Sequence, residues 1–441
     1  MKQRLNEIPG QARNDKGKPG MTRKDMAKKL EKIYPWIVVA LLWVVALLNY
    51  MDRQMLSTMR EYIAMDIAQL QQAEAFGVLM AIFLWIYAIV SPFAGTVADR
   101  LSRKWLIVGS LAVWSAVTLL MGYCTTFSQL KWLRGLMGVS EALYIPSSLS
   151  LIADYHTGKS RSLAVGIHMT GLYLGQALGG FGANLAAALT WQQTFHWFGI
   201  IGIVYAVILI FCLKEARPAS VISTKAEGRA EKSPETASIW KSFGLIFSNI
   251  AFWAILFFFA SSSMPGWATK NWLPTLFQGS LDIPMEKAGP IATITIAFAS
   301  FLGVLIGGPL SDRWVKKNLK GRIYTSAIGL GMMIPALVLI GLGHGIVAAV
   351  AAGLIFGIGY GMFDTNNMPI LCQFVPSRLR ATAYGFMNTV GVAMGAVCTQ
   401  VLGRMQDGGH LGAAFAVLGV VTAAALLVQL VVLKPVTDDM A

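Results

Sequence analysis

The chain has 441 residues, of which 55% are hydrophobic and only 13% charged, against about 25% charged in an ordinary soluble domain, so disordered, collagen-like and disulfide-scaffold classes are excluded. Cys124, Cys212, Cys372 and Cys398 form no Cys-x-x-Cys pair and the five histidines are scattered, so no metal or other cofactor is expected. The net charge of +14, from 36 Lys+Arg against 22 Asp+Glu, would suggest nucleic acid on a soluble chain, but its placement along this one says otherwise.

Residues 1–34 are polar and basic. They lack the apolar core of a signal peptide and read as a disordered cytosolic tail. A bilayer core of about 30 Å takes roughly 20 apolar residues per helix. Twelve such stretches follow, at about 35–58, 76–97, 105–124, 129–153, 161–187, 195–213, 247–270, 288–310, 322–342, 345–370, 380–402 and 411–433. No strand-like alternation persists, so the backbone must be satisfied within helices. The charged stretch 214–246 divides the spans evenly. The expected architecture is an all-α membrane protein with twelve transmembrane helices. One six-helix bundle covers 35–213, a cytosolic linker 214–246, a second bundle 247–434 and a cytosolic C-terminus 435–441.

With the N-terminus inside, 29 of the 36 basic residues fall in cytoplasmic segments. Four fall outside (Arg60, Lys270, Lys287 and Arg404), and Arg53, Lys131 and Arg134 remain within helices or at their margins. This bias places both termini in the cytoplasm. An anionic lipid surface explains the basic tail as well as a polyanion does. The expected partner is therefore the bilayer rather than nucleic acid, and the expected state is a monomer.

Two loops repeat. Gly95-Thr96-Val97-Ala98-Asp99-Arg100-Leu101-Ser102-Arg103-Lys104 follows the second span, and Gly308-Pro309-Leu310-Ser311-Asp312-Arg313-Trp314-Val315-Lys316-Lys317 follows the eighth. The fifth and eleventh spans also begin alike, with Arg161-Ser162-Leu163-Ala164-Val165-Gly166 and Arg380-Ala381-Thr382-Ala383-Tyr384-Gly385. A parallel six-helix repeat is the build of a rocker-type transporter with its site near the midplane. The duplicated loop resembles the signature of the major facilitator superfamily, with Ser102 where that family usually has Gly.

A narrower resemblance rests on Asn49-Tyr50-Met51-Asp52-Arg53, Trp85-Ile86-Tyr87, and Arg134-Gly135-Leu136-Met137-Gly138-Val139-Ser140-Glu141-Ala142 followed by Pro146. Together these resemble the anion:cation symporter family, which moves organic anions such as sugar acids with protons. Asn388 is similar to a residue of that family's eleventh helix. Spinster-like lysolipid transporters share the Tyr-Met-Asp-Arg and Arg-x-x-x-Gly-x-x-Glu-Ala patterns and are the competing subfamily. A proton-coupled carrier of neutral or amino sugars is a further alternative.

An ionisable group within a membrane helix is a functional candidate by default. Arg53 offers a planar fork suited to a substrate carboxylate; the alternative is a packing ion pair with Asp52 or Glu141. Asp52 and Arg53 are about 100° apart around their helix, so both cannot point into one cavity. Glu141 and Asp52 are the candidate proton carriers, a role that acids at matching positions serve in the resembling family; the alternative for each is a permanent salt bridge. Arg134, which shares a helix face with Glu141, holds either that acid, an external gate or the substrate. Asp364 departs from the family pattern. It is a second coupling acid, an acceptor for substrate hydroxyls, or a cap on a helix broken near Pro369.

Tyr50 and Tyr87 match family cavity positions, and Tyr144, His168, Tyr173, Gln176, Trp267, Asn271, Asn366 and Asn388 are further candidates for the cavity wall. Each has a packing alternative. Asp99-Arg100 and Asp312-Arg313 are candidate gating latches, the acids meeting the helix N-termini near Arg380 and Arg161 respectively. Gly171, Gly175, Gly179 and Gly180 follow no strand and suit close helix packing rather than a nucleotide. No catalytic motif is present. The expectation is a non-enzyme: a proton-coupled symporter importing an organic anion across a bacterial inner membrane.

Overall fold

The computed structural model describes residues 23–156, 160–215, 247–376 and 379–437. Most of the expected tail and linker, and the side chains of Asp99 and Arg100, lie outside that description. The first half comprises α1 (Arg23–Leu56), α2 (Arg60–Asp66), α3 (Ala73–Arg100), α4 (Arg103–Met121), α5 (Phe127–Ala142), α6 (Tyr144–Tyr155), α7 (Arg161–Gly179), α8 (Gly182–Ala188) and α9 (Trp191–Cys212). The second comprises α10 (Ile250–Leu281), α11 (Met285–Val315), α12 (Gly321–Leu342), α13 (Ile346–Asp364), α14 (Asn367–Cys372), α15 (Arg380–Asp407) and α16 (Leu411–Val432).

Eleven helical segments among the described residues are long and apolar enough to cross a membrane. The twelfth expected span, 161–187, is divided between α7 and α8. The tail expectation needs correction. Helix α1 begins at Arg23, because the Ala, Lys, Leu and Met residues before the apolar span are themselves good helix formers.

Two spans break at the same place for the same reason. Pro146 is the third residue of α6, and Pro369 the third of α14. A proline there removes one amide and crowds the carbonyl four residues back. The long helix therefore ends just before it, and a new one starts.

Helix pairing obeys the repeat. In the first half α1 packs on α7, α4 on α9 and α3 on α5; in the second, α10 packs on α15, α12 on α16 and α11 on α13. The halves meet through α3–α15 and α7–α11. Small residues make the approach possible. A Cβ on Gly175 would lie 2.3 Å from the Leu47 carbonyl oxygen of α1, and one on Gly180 would lie 2.0 Å from Thr293 Oγ1 of α11. Gly175→Val is expected to cost about 1–3 kcal/mol through overpacking, read as a lower Tm of the purified protein; an unchanged Tm would show that α1 and α7 can separate freely.

Ser102 needs no glycine conformation. With φ −61° and ψ 121° it is the N-cap of α4, its Oγ accepting from the Trp105 amide at 3.5 Å and donating to Glu215. Lys270 corrects the side-of-membrane count. It was assigned to an external segment, yet α10 continues to Leu281 and holds it inside the helix. The basic residue invited a span boundary that the fold does not have.

One end of the bundle is tied across the halves. Tyr62 of α2 donates to Glu286 of α11, Gln278 donates to Glu61 at 2.7 Å, and Arg404 pairs with Glu74 at 2.6 Å. Burial and then the Glu286 carboxylate push the Tyr62 phenol up to about 12, so it stays a donor at physiological pH. Asp407 accepts from the Ala73 and Glu74 amides at 2.7 and 2.8 Å, capping α3 from the opposite half. This acid-to-helix-terminus contact is the chemistry expected of the repeated loops, found here at the other end of the molecule. Asp407→Asn weakens two charge-assisted bonds. It is expected to raise the population open at this end by about three- to ten-fold, measured as interspin distances between labels on α2 and α11; unchanged distances would remove Asp407 from the gate.

Candidate functional site

The site is built around Arg53 on α1. Its Nε donates to Glu141 Oε2 of α5 in a buried ion pair. Three rings surround the guanidinium: Tyr50, Phe83 and Tyr87 lie with centroids 5.1, 4.7 and 5.1 Å from its Cζ. Phe83 and Tyr87 are one helical turn apart on α3, so they present one aromatic face. Such faces attract a cation and keep it from bulk water. Arg134 lies over the other part of Phe83 at 4.7 Å, with Nη1 2.9 Å from Met137 Sδ. Arg53 therefore holds Glu141, and Arg134 stands beside the pair.

Several polar atoms of this cluster have no protein partner. Arg53 Nη2, Arg134 Nε and Glu141 Oε1 are buried and unpaired. An unmet buried donor or acceptor costs about 1–3 kcal/mol, more when charged. Atoms left in that state next to a cavity are poised for an anion or a proton.

Two adjoining cavities share Tyr50 and Lys270. One is lined by Arg53, Arg134, Gln54, Trp267 and Asn271 among others. The second is lined by Tyr173, Gln176, Thr269, Ser300, Tyr360 and Asp364. Lys270 Nζ lies over Trp267 at 4.9 Å and Tyr360 at 5.8 Å. Asp364 is exposed to solvent and accepts from Asn367 Nδ2 at 3.3 Å.

Asp52 points elsewhere, as its angular offset from Arg53 requires. It accepts from Thr118 Oγ1 at 2.5 Å, in a small pocket with Trp114, Ser115, Phe198 and Gly202. Tyr144 donates to the Leu42 carbonyl at 2.7 Å and packs on Trp114 and His168. His168 is buried, with Nε2 3.4 Å from Ser148 Oγ. Asn366 donates to the Met362 carbonyl at 2.8 Å, tying off the end of α13. These three line neither central cavity. Asn388 sits on the seam between halves, donating to Ser91 Oγ at 3.2 Å. Asp312 and Arg313 are exposed at the end of α11. The contacts of Asp99 and Arg100 lie outside the described residues.

Sequence reasoning missed Phe83 and Lys270, as well as Gln54, Thr269, Ser300 and Tyr360 of the cavity walls. Phe83 had a signal, its position one turn before Tyr87. Lys270 was visible but misplaced, because a lone lysine at the end of an apolar run looks like a boundary.

A model of the Major Facilitator Superfamily matches residues 42–399. The chain is 25% identical over 402 residues to a D-galactonate transporter of Escherichia coli O6:H1, covering 85% of this chain and 89% of that protein. It is 25% identical over 415 residues to a hexuronate transporter of Bacillus subtilis (strain 168), covering 90% and 94%. Among solved structures, a bacterial homolog of the human lysosomal transporter Spinster, in an inward-facing and unoccupied conformation, matches with a TM-score of 0.68 at 19% identity, covering 91% of this chain and 95% of that one. That last likeness concerns the fold alone.

Proposed function

Since the chain belongs to the Major Facilitator Superfamily, we propose that this multi-pass membrane transporter is a proton-coupled symporter of a sugar acid. It works by alternating access in a bacterial inner membrane, with both termini cytoplasmic and the two bundles, 35–213 and 247–434, moving against each other. It is a transporter, not an enzyme.

The observation that carries this reading is the Arg53–Glu141 pair, whose guanidinium is walled by three rings and lines a cavity. A substrate carboxylate competes with Glu141 for the Arg53 guanidinium. When the substrate takes the guanidinium, Glu141 is left a buried carboxylate with no counter-charge, and such a group takes up a proton. The converse also holds: a proton on Glu141 frees Arg53 for the anion. Binding of one therefore favours binding of the other, as linkage requires. Asp52, held by Thr118 away from the substrate cavity, carries a second proton without touching substrate. Asp99-Arg100 and Asp312-Arg313 latch the cytoplasmic end, and Asp407 with Arg404 the external end.

The relatives named for galactonate and hexuronate support a sugar acid as cargo. Proteoliposomes with an inward proton gradient are expected to accumulate D-galactonate or D-glucuronate, and a protonophore is expected to abolish the accumulation. Absence of accumulation for every sugar acid, or transport of lysophosphatidylcholine instead, would overturn the reading.

A further inference from the structure

The cavity contains a charged pair that the Arg53–Glu141 mechanism leaves unused. Glu141 stands five residues before Pro146 of the broken fourth span, and Asp364 stands five before Pro369 of the broken tenth. The two acids therefore occupy matching positions of the repeat. The cations match as well. Gln54, next to Arg53, packs against Gly179 of α7. Asn271, next to Lys270, donates to Thr399 Oγ1 of α15 at 2.9 Å. Gly179 and Thr399 lie 18 and 19 residues beyond Arg161 and Arg380, which begin the corresponding helices. Each half thus places a matching cation and acid in or beside the central cavities.

The two pairs are in different states. Arg53 and Glu141 are joined. Among the described residues Lys270 and Asp364 have no ion-pair partner within 4.0 Å, and both line one cavity. Their spare hydrogen-bonding capacity is available to that cavity.

We propose that Lys270 and Asp364 form a substrate subsite on the second half, and that it holds the hydroxylated end of a monocarboxylate whose carboxylate lies on Arg53. The proposal rests on the reading of Arg53 given above. A hydroxyl suits this pair because it donates to Asp364 while accepting from Lys270. A second carboxylate would meet Asp364 as a like charge, and an ammonium would meet Lys270. The cavity charge agrees. Arg53, Arg134 and Lys270 stand against Glu141 and Asp364, leaving one positive charge for one anionic group. A simple fatty acid neutralises that charge but leaves the Lys270 ammonium without a hydrogen-bond acceptor and the Asp364 carboxylate with Asn367 alone as water is displaced, the kind of mismatch a polar site rejects strongly.

The test is binding of D-galactonate, D-galactarate and hexanoate to the purified full-length protein by calorimetry, with Tm as the control for folding. The parent is expected to bind D-galactonate at least about 100-fold tighter than hexanoate, and tighter than the dicarboxylate D-galactarate. Asp364→Asn and Lys270→Gln are each expected to shrink the galactonate-to-hexanoate ratio by about tenfold or more with Tm retained. Parent-like ratios in both variants overturn the subsite and leave the Arg53 reading standing. Tighter binding of D-galactarate than of D-galactonate by the parent also overturns it. A parent that binds none of the three anions overturns the sugar-acid reading and the subsite with it.

Discussion

Arg53→Lys is expected to reduce sugar-acid uptake by about 10- to 100-fold, with the loss visible in both initial rate and KM. The substitution keeps the positive charge, so the long-range attraction for an anion is unchanged. It removes the fork. In the parent, Nε holds Glu141 while Nη2 has no protein partner, and a substrate carboxylate that displaces the acid can be met by two N–H groups of one planar fork. A lysine ammonium is a compact point charge and cannot fill both places in that plane. Losing one hydrogen bond to a charged group costs about 1.5–3 kcal/mol, which is about one to two orders of magnitude in binding. The lysine chain also loses the planar contact with Tyr50, Phe83 and Tyr87. Parent-like kinetics in the lysine variant would show that Arg53 serves packing alone.

Glu141→Gln is expected to abolish uphill, proton-driven uptake while preserving counterflow exchange of labelled substrate. Glutamine is close in shape and its amide oxygen still accepts from Arg53, so the helix contact between α1 and α5 survives. It cannot take up a proton. In the glutamine variant no carboxylate competes with the substrate for Arg53, so anion affinity is expected to be at least as high as the parent's. Removing the carboxylate leaves a buried cation without its counter-charge, which costs about 3–5 kcal/mol in comparable pairs. A lower Tm is therefore expected in the empty protein, recovered on adding the anion. Undiminished proton-driven accumulation would exclude Glu141 as the coupling acid.

Much of the site could be read from residue types because charge is so scarce in this chain. Arg53, Glu141 and Asp364 stood out as costly groups in apolar helices, and all three line the cavities or pair beside them. Tyr50 and Tyr87 were legible through the family resemblance, and Gln176 as an amide within an apolar span. The candidates that turned inward show the limit. His168 sits on α7, which lines the cavity, and Tyr144 and Asn366 lie at the breaks of the fourth and tenth spans, yet each turns to a carbonyl or hydroxyl in the packed interior. Which way each turns depends on what the neighbouring helices present, and no local pattern encodes it.

The sequence alone determined the class of molecule. Apolar runs of bilayer length, the bias of basic residues and the duplicated Asp-Arg loop require a two-fold helical membrane protein, because the backbone has no other way to be satisfied in lipid. It also marked the break of the tenth span near Pro369, although Pro92, Pro265, Pro274, Pro309 and Pro335 lie inside unbroken helices. Only the tertiary structure decided which charges meet. Arg53 took Glu141 although Arg134 shared that acid's helix face. Lys270 moved from an external segment into the cavity. Asp407, which carried no signal, capped a helix of the opposite half. Each is a long-range contact set by how whole helices pack, and its energy depends on distances that chain order does not contain.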